Sequence, residues 1–369
     1  MRVLIAPDCF GGTLTAPEAA EAIAAGWRSG APVDELTLCP LADGGPGFVE
    51  VLHSALGGHL HHRSVAGPLG ASTEAIWLEH EGTAYIECAQ ACGLTLVPRE
   101  ERDALAANTV GVGELITHAL DHKVHTIVVG LGGSGSTDGG SGMLRALGAI
   151  PVGEDGEPLS PGGGPLIDTT RLVGRADLGD VTLVAASDVE NPLLGKEGAA
   201  RVFGPQKGAD DLAVRRLERS LTRWADVLGG LAGRDIRAEP GAGAAGGLGA
   251  ALIALGATVE SGAGMVRRLT GLDQALDDAQ LVVTGEGSFD FQSLRGKLVT
   301  RVSAAASERG TPCVVLAGQV SVGRRRAASA GVSQAYAVAE HVGSAEASLA
   351  DPAGTLSDLA KHVSAQWRL

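Results

Sequence analysis

The stretch Thr126-Ile-Val-Val-Gly-Leu-Gly-Gly-Ser-Gly-Ser-Thr-Asp-Gly-Gly-Ser-Gly-Met-Leu-Arg145 decides how the chain is read. The apolar, β-branched run from Ile127 to Val129 predicts a buried strand. Met143 to Leu147 predicts a helix. Between them lies a loop of Gly, Ser and Thr that holds one acid, Asp138. A strand that turns into a helix through glycines leaves backbone N–H groups pointing one way. The positive end of the helix dipole adds to them, so the turn suits an anion, above all a phosphate. A carboxylate in such a loop repels a phosphate unless a cation lies between them, and Mg²⁺ is the usual one.

Outward from this stretch, α/β patterns recur. Arg2 to Ala6 predicts a strand. Thr15 and Glu18 then have capping-box spacing before a helix carrying Ile23 and Trp27 on one face. Glu35 to Cys39 predicts a second strand, and a helix through Val49, Leu52 and Leu56 stops at Gly57-Gly58. From His59 to Glu87 the alternation predicts an antiparallel set. Val112 to Leu120 predicts a helix, Pro151 to Pro165 a Gly/Pro loop and Val181 to Ala186 a strand. Leu217, Leu221, Trp224 and Leu228 trace one face of a long helix. Leu281 to Thr284, Cys313 to Ala317 and Gln334 to Val338 predict further strands, with Gly285-Glu286-Gly287 as a loop after the first. Leu356, Leu359, Val363 and Trp367 give a closing helix. The expected class is therefore α/β with two α/β domains. One is doubly wound, built from both chain ends (1–60 and 265–369), and the second (61–264) is inserted between them, with the site in a cleft between the two.

The totals narrow the function classes. Glycine supplies 55 of 369 residues, clustered after apolar strands, so it marks loops rather than disorder. A net charge of −14 argues against nucleic acid or an anionic membrane as partner. No apolar stretch reaches the ~20 residues a membrane span needs. Five cysteines, with Cys88 and Cys92 four apart and no adjacent His, fit a reducing cytoplasm and small core residues rather than a zinc site. Lysine is scarce, five against 24 arginines, yet Lys196, Lys207 and Lys297 lie in or beside glycine-rich segments.

Five predicted strand ends share one make-up, an acid with glycines or Asn: Asp8, Asp43, Asp138, Asp188 with Asn191, and Glu286 with Asp290. In open parallel sheets such ends line the ligand crevice. Phosphoryl transfer needs this inventory: N–H cradles, carboxylates for Mg²⁺, a cation for phosphate oxygens and a carboxylate to accept a hydroxyl proton. The chain has no G-x-x-x-x-G-K-[ST] motif and no protein-kinase motifs. Gly130 to Gly135 and Gly241 to Gly246 match G-x-G-x-x-G. Only the first follows a clear strand, so a nicotinamide-dependent oxidoreductase resting on Gly130 to Gly135 is a rival, although no acid at the end of a second strand follows about 20 residues on.

Read together, seven segments resemble the bacterial type I glycerate kinase family. They are Pro-Asp-Cys-Phe-Gly-Gly-Thr (7–13), Ala-Asp-Gly-Gly (42–45), the loop at 132–143, Asp-Val-Glu-Asn-Pro-Leu-Leu-Gly (188–195), Val-Phe-Gly-Pro-Gln-Lys-Gly-Ala (202–209), the glycine-rich 240–249, and Thr-Gly-Glu-Gly (284–287) with Asp290, Gln292 to Leu294, Gly296 and Lys297. The resemblance covers nearly the whole chain. It implies ATP- and Mg²⁺-dependent phosphorylation of D-glycerate, usually at the 2-hydroxyl, and two α/β domains, one of them flavodoxin-like. The chain departs from the family pattern at Cys9 and Gly11 (for Ser and Lys), at Pro46 to Phe48 (for Glu-Gly-Thr) and at Ser288 (for Arg). These departures bear on the acid substrate more than on the phosphoryl chemistry. A non-catalytic, ligand-binding relative is a further reading.

The expected roles follow. Asp188 or Asp43 accepts the hydroxyl proton, and Asp8, Asp138 or Glu286 holds Mg²⁺. Gly132, Gly133 and Ser134 cradle an anion, and Lys207 and Lys297 meet phosphate or carboxylate. Asn191, Asp290 and Ser293 complete the binding set. The partner is a small hydroxy acid, with no nucleic acid and no membrane; the oligomeric state stays open, a homodimer included.

Overall fold

The computed structural model describes residues 1–295 and 297–367; Gly296 of the family pattern lies outside them. Its strands are β1 (Arg2–Ile5), β2 (Glu35–Leu38), β3 (His59–Ala66), β4 (Ser72–His80), β5 (Thr83–Glu87), β6 (Thr126–Gly130), β7 (Ile150–Val152), β8 (Arg171–Val173), β9 (Thr182–Ala186), β10 (Thr258–Glu260), β11 (Leu281–Phe289), β12 (Cys313–Val320) and β13 (Gln334–Ala337). The chain divides into two compact units. The first comprises Met1–Ala42, Glu50–Leu56 and Ala263–Leu369, and the second Asp43–Val49 and Gly57–Gly262.

The first unit carries a five-stranded sheet in the order β13-β12-β11-β1-β2, parallel throughout. Counted along the chain this is the doubly wound, flavodoxin-like order, with its switch point between β1 and β11. The strands are apolar runs because both faces are covered. Along β12, Val314 and Leu316 face one core with Ile23, Trp27, Leu356 and Leu359. Val315 and Ala317 face another with Val299 and Val332. Helix Ala16–Gly30 starts on Thr15 with both halves of the predicted capping box in place. It lies so close to helix Pro352–Gln366 that a Cβ on Gly26 would stand 1.9 Å from the Ser357 carbonyl oxygen. Glycine at 26 thus lets the two chain ends pack as one layer.

One reading is corrected here. The strand predicted to end at Thr284 runs on to Phe289, so Glu286 lies on β11 rather than in a loop. Pairing with β12 continues through Glu286, opposite Ala317, to Phe289, opposite Val320. Gly285 tolerates this because any Cβ there would meet the Leu316 carbonyl oxygen at 2.1 Å.

The second unit carries a six-stranded mixed sheet in the order β10-β9-β6-β5-β4-β3. It is parallel from β10 to β5 and antiparallel from β5 to β3. The change of texture at His59 is the antiparallel part. Leu217, Leu221, Trp224 and Leu228 of helix Asp211–Ala232 are fully buried in this unit's core, each worth about 1.5–3 kcal/mol relative to exposure. The segment read as a Gly/Pro loop opens on β7, which pairs antiparallel with β8.

Candidate active site

In the second unit the loop after β6 is organised from within by Asp138, which is fully buried. Its Oδ2 accepts the Thr109 N–H at 3.0 Å, the Thr109 hydroxyl at 2.9 Å and the Gly142 N–H at 3.0 Å. Its Oδ1 accepts the Gly140 N–H at 3.2 Å. Burial pushes this carboxyl up, and the donors from Gly142 and Thr109 pull it back. Asp138 is therefore corrected from metal ligand to internal anchor: its oxygens are spent on the donors of Thr109 and the helix start. The N–H groups expected to meet a phosphate at this helix meet Asp138 instead.

Lys207 is also buried, and it enters from the turn Pro205–Lys207. Its Nζ donates to the Ser134 hydroxyl at 3.0 Å and to the Ser136 carbonyl. Burial lowers its pKa to about 8, against the opposing pull of Cys92, Cys88 and Asp138. Lys207 thus props the loop from below rather than presenting its charge to solvent. Cys88 and Cys92 are free and buried beside it, and the Cys88 thiol faces the Gly132 carbonyl at 3.6 Å.

What the loop shows to solvent is Gly132 and Gly133; Ser134 is buried beneath them. The Gly132 N–H donates to the Gly44 carbonyl at 3.0 Å and the Gly135 N–H to the Cys92 carbonyl at 2.6 Å. The glycines of the first G-x-G-x-x-G run are therefore packing contacts. A Cβ on Gly132 would lie 2.4 Å from the Gly45 Cα, and one on Gly130 would lie 2.6 Å from the Gly44 carbonyl oxygen. The second run packs beneath the first, with a Cβ on Gly246 falling 2.1 Å from the Ser136 carbonyl oxygen.

These approaches place Asp43-Gly44-Gly45 over the carboxyl ends of β6 and β9. Asp43 is exposed, and its Oδ1 accepts the Gly45 N–H at 3.1 Å. Its carbonyl oxygen lies where a Cβ on Gly262 would be, 2.2 Å away. The preceding residue, Ser261, donates its hydroxyl to Asp188 Oδ1. Asp188 itself is half-buried just past β9. The structure therefore brings Asp43, Asp188 and the Gly132–Ser134 loop to one end of one sheet. Asn191 serves the backbone there, donating its amide to the Glu197 carbonyl at 2.8 Å.

In the first unit, Asp8 just past β1 and Glu286 within β11 lie on the two neighbouring strands of the switch point, where the Asp8 N–H donates to the Gly285 carbonyl at 2.8 Å. Asp8 Oδ1 accepts the Cys9 N–H at 2.7 Å. Glu286 is 6% exposed, and among the described residues its Oε1 is buried with no hydrogen-bond partner. Burial raises its pKa, while Ser293 and Lys297 oppose the rise. An unsatisfied buried carboxylate oxygen fits a divalent cation, which would supply the missing partner. Asp290 does different work: its Oδ1 accepts the Gln292 N–H at 2.7 Å and the Ser293 N–H at 3.2 Å, closing the turn after β11. Lys297 is exposed at the start of helix Leu298–Glu308. Gly11 is exposed with φ +44° and open space where a Cβ would be, so a side chain there would meet backbone strain, not crowding.

Three positioning residues escaped the sequence reading. Glu87, 3% exposed at the end of β5, accepts the N–H groups of Gly47 and Phe48, each at 3.0 Å. It was legible as a sixth acidic strand end. Ser261 and Thr109 carry no local signal, because each matters only for the acid it reaches across the fold.

Among the described residues no helix is long and apolar enough to cross a membrane. Residues 3–368 match the glycerate kinase family. The chain is 42% identical over 329 residues to the "Glycerate 2-kinase" of Escherichia coli K12, covering 87% of this chain and 86% of the relative. It is 39% identical to the "Glycerate kinase" of Halalkalibacterium halodurans, covering 98% and 97%. Among solved structures it resembles "putative glycerate kinase 2" from Salmonella typhimurium LT2, with TM-score 0.82, 38% identity and coverage of 99% and 98%.

Proposed function

The chain belongs to the glycerate kinase family and is a glycerate kinase; from that premise we propose that it transfers the terminal phosphoryl group of ATP to the 2-hydroxyl of D-glycerate with Mg²⁺. The name of the Escherichia coli relative supports the 2-position. The nicotinamide reading is set aside, since Gly130 and Gly132 of the glycine run it rested on pack against the backbone of Gly44 and Gly45.

The observation that carries the assignment of roles is the pair Asp43 and Asp188 at one strand-end cluster, with Asp188 held by the Ser261 hydroxyl. In this reading Asp188 accepts the proton as the glycerate hydroxyl attacks phosphorus. Ser261 orients it, and Asp43, fixed by its own turn, is the second carboxylate of that cluster. The loop at Gly132–Ser134 lies against the substrate anion, held in shape by Lys207 below and Asp138 behind. Asp8 and Glu286 would hold Mg²⁺, which neutralises phosphate oxygens when bound. Lys297 supplies positive charge beside Glu286.

A ³¹P spectrum of the reaction with ATP, Mg²⁺ and D-glycerate tests this reading. It should show a 2-phosphoglycerate signal growing with that of ADP. Asp188→Asn should lower kcat by about 10²–10⁴-fold, the usual contribution of a positioned base. Product formation at the wild-type rate in that variant would move the base elsewhere, and a 3-phosphoglycerate signal would overturn the regiochemistry.

A further inference from the structure

On the antiparallel side of the second unit's sheet, outside the groups just described, three metal-ligating side chains converge. His61 comes from β3, Glu79 from β4, and His122 from the end of helix Val110–Asp121. Nε2 of His61 lies 2.8 Å from Oε2 of Glu79, and Nδ1 of His122 lies 3.4 Å from the same oxygen. All three ligand atoms fall within 4.8 Å of one another. Ligand atoms at zinc distances of about 2.0–2.2 Å in a tetrahedron stand about 3.3 Å apart. The observed spacing therefore needs only small side-chain adjustments.

The rings are held for this arrangement. His61 stacks on Trp77, with centroids 4.2 Å apart and planes at 16°. Trp77 is fully buried, and its Nε1–H donates to His118 Nδ1 at 2.9 Å. His61 thus rests on a fixed surface. His122 follows the last turn of its helix, where the carbonyl ends favour a cation. The three side chains keep partial exposure, 20%, 29% and 34%, so an ion can enter and a solvent ligand can complete its shell.

We propose that His61, Glu79 and His122 form a binding site for a zinc-class divalent transition metal. The two imidazole nitrogens and one carboxylate oxygen select such an ion over Mg²⁺ or Ca²⁺, which take oxygen ligands. The bound ion ties the C-terminal end of helix Val110–Asp121 to the β3–β4 hairpin. Thr109, at the other end of that helix, holds Asp138. The staple therefore braces the support of the glycine loop without touching it.

The test uses the full chain, stripped with chelator and titrated with ZnCl₂ at about pH 8, above the imidazole reference near 6.5. Excess MgCl₂ is kept present to occupy oxygen-only sites. Calorimetry should give one zinc per chain. His61→Gln and His122→Gln should each weaken binding at least ~10-fold, since even indirect ligand supports cost that much. In wild-type protein, which removes any question of folding, the imidazole NMR signals of His61 and His122 should shift and saturate at one equivalent. Those of His341, which pairs with Asp358 away from this cluster, should not move at that point. Absence of zinc binding, saturation without movement of the His61 and His122 signals, or unchanged affinity in both variants would each overturn the proposal.

Discussion

Asp138 and Glu286 look alike in the sequence and differ in their surroundings. Each is an acid in a glycine-rich segment after an apolar run, and each is buried. Asp138 collects donors from Thr109, Gly140 and Gly142 around its two oxygens. Among the described residues Glu286 keeps Oε1 with no partner, and the residue before it, Gly285, accepts the Asp8 N–H. Burial pushes both carboxyls up; four hydrogen bonds from Thr109, Gly140 and Gly142 oppose it at Asp138, and Ser293 and Lys297 oppose it at Glu286. The difference teaches that an acid in a glycine-rich bend becomes a structural anchor when the bend folds around it. It stays available to a ligand when the strand carries it past the bend.

The largest expected effect tests the anchor. Asp138→Ala orphans buried donors at about 1–3 kcal/mol each, so thermal and urea unfolding should show a loss of about 3 kcal/mol or more. The Mg²⁺ concentration for half-maximal activity should stay near the wild-type value. Glu286→Gln should invert that pattern. Its Mg²⁺ requirement should rise at least ~10-fold, while stability is kept or gains slightly, because a neutral amide replaces a buried carboxylate whose oxygen lacks a partner. Were the alanine variant the one to change the Mg²⁺ requirement, the two acids would have to exchange roles.

The smallest expected effect concerns pH. The folded pKa of Lys207 is depressed to about 8, against an unfolded value near 10.4. Between these values the unfolded chain binds more protons, so the Lys207 contribution makes stability rise with pH across that window. Against Lys207→Met, the wild type should therefore gain on the order of 1–3 kcal/mol from about pH 8 to about pH 10. Denaturant unfolding of both proteins across that range reads the difference, and parallel curves would mean that Lys207 is not buried as a charge.

Much of the fold was legible. The apolar β-branched runs at 2–6, 127–129 and 313–317 are strands because nothing else buries them on both faces. The Thr15/Glu18 box starts its helix because its two polar groups satisfy each other locally. The reading failed at Gly285-Glu286-Gly287, where glycines signalled a loop but pairing with β12 held the strand straight. It failed again at Asp138, where loop chemistry suggested an ion and Thr109, 29 positions away, joined the Gly140 and Gly142 N–H groups as donors instead.

The sequence by itself determined the α/β class, the doubly wound pattern and the family, because hydrophobic period, caps and motif order are local properties that survive without a fold. Only the tertiary structure decided which acids face inward and which keep an unmet oxygen. It also decided that Asp43–Val49 packs with the second unit and that His61, Glu79 and His122 meet. The physical reason is that a carboxylate's role is set by the donors and charges within a few ångströms of it, and here those come from residues far off along the chain.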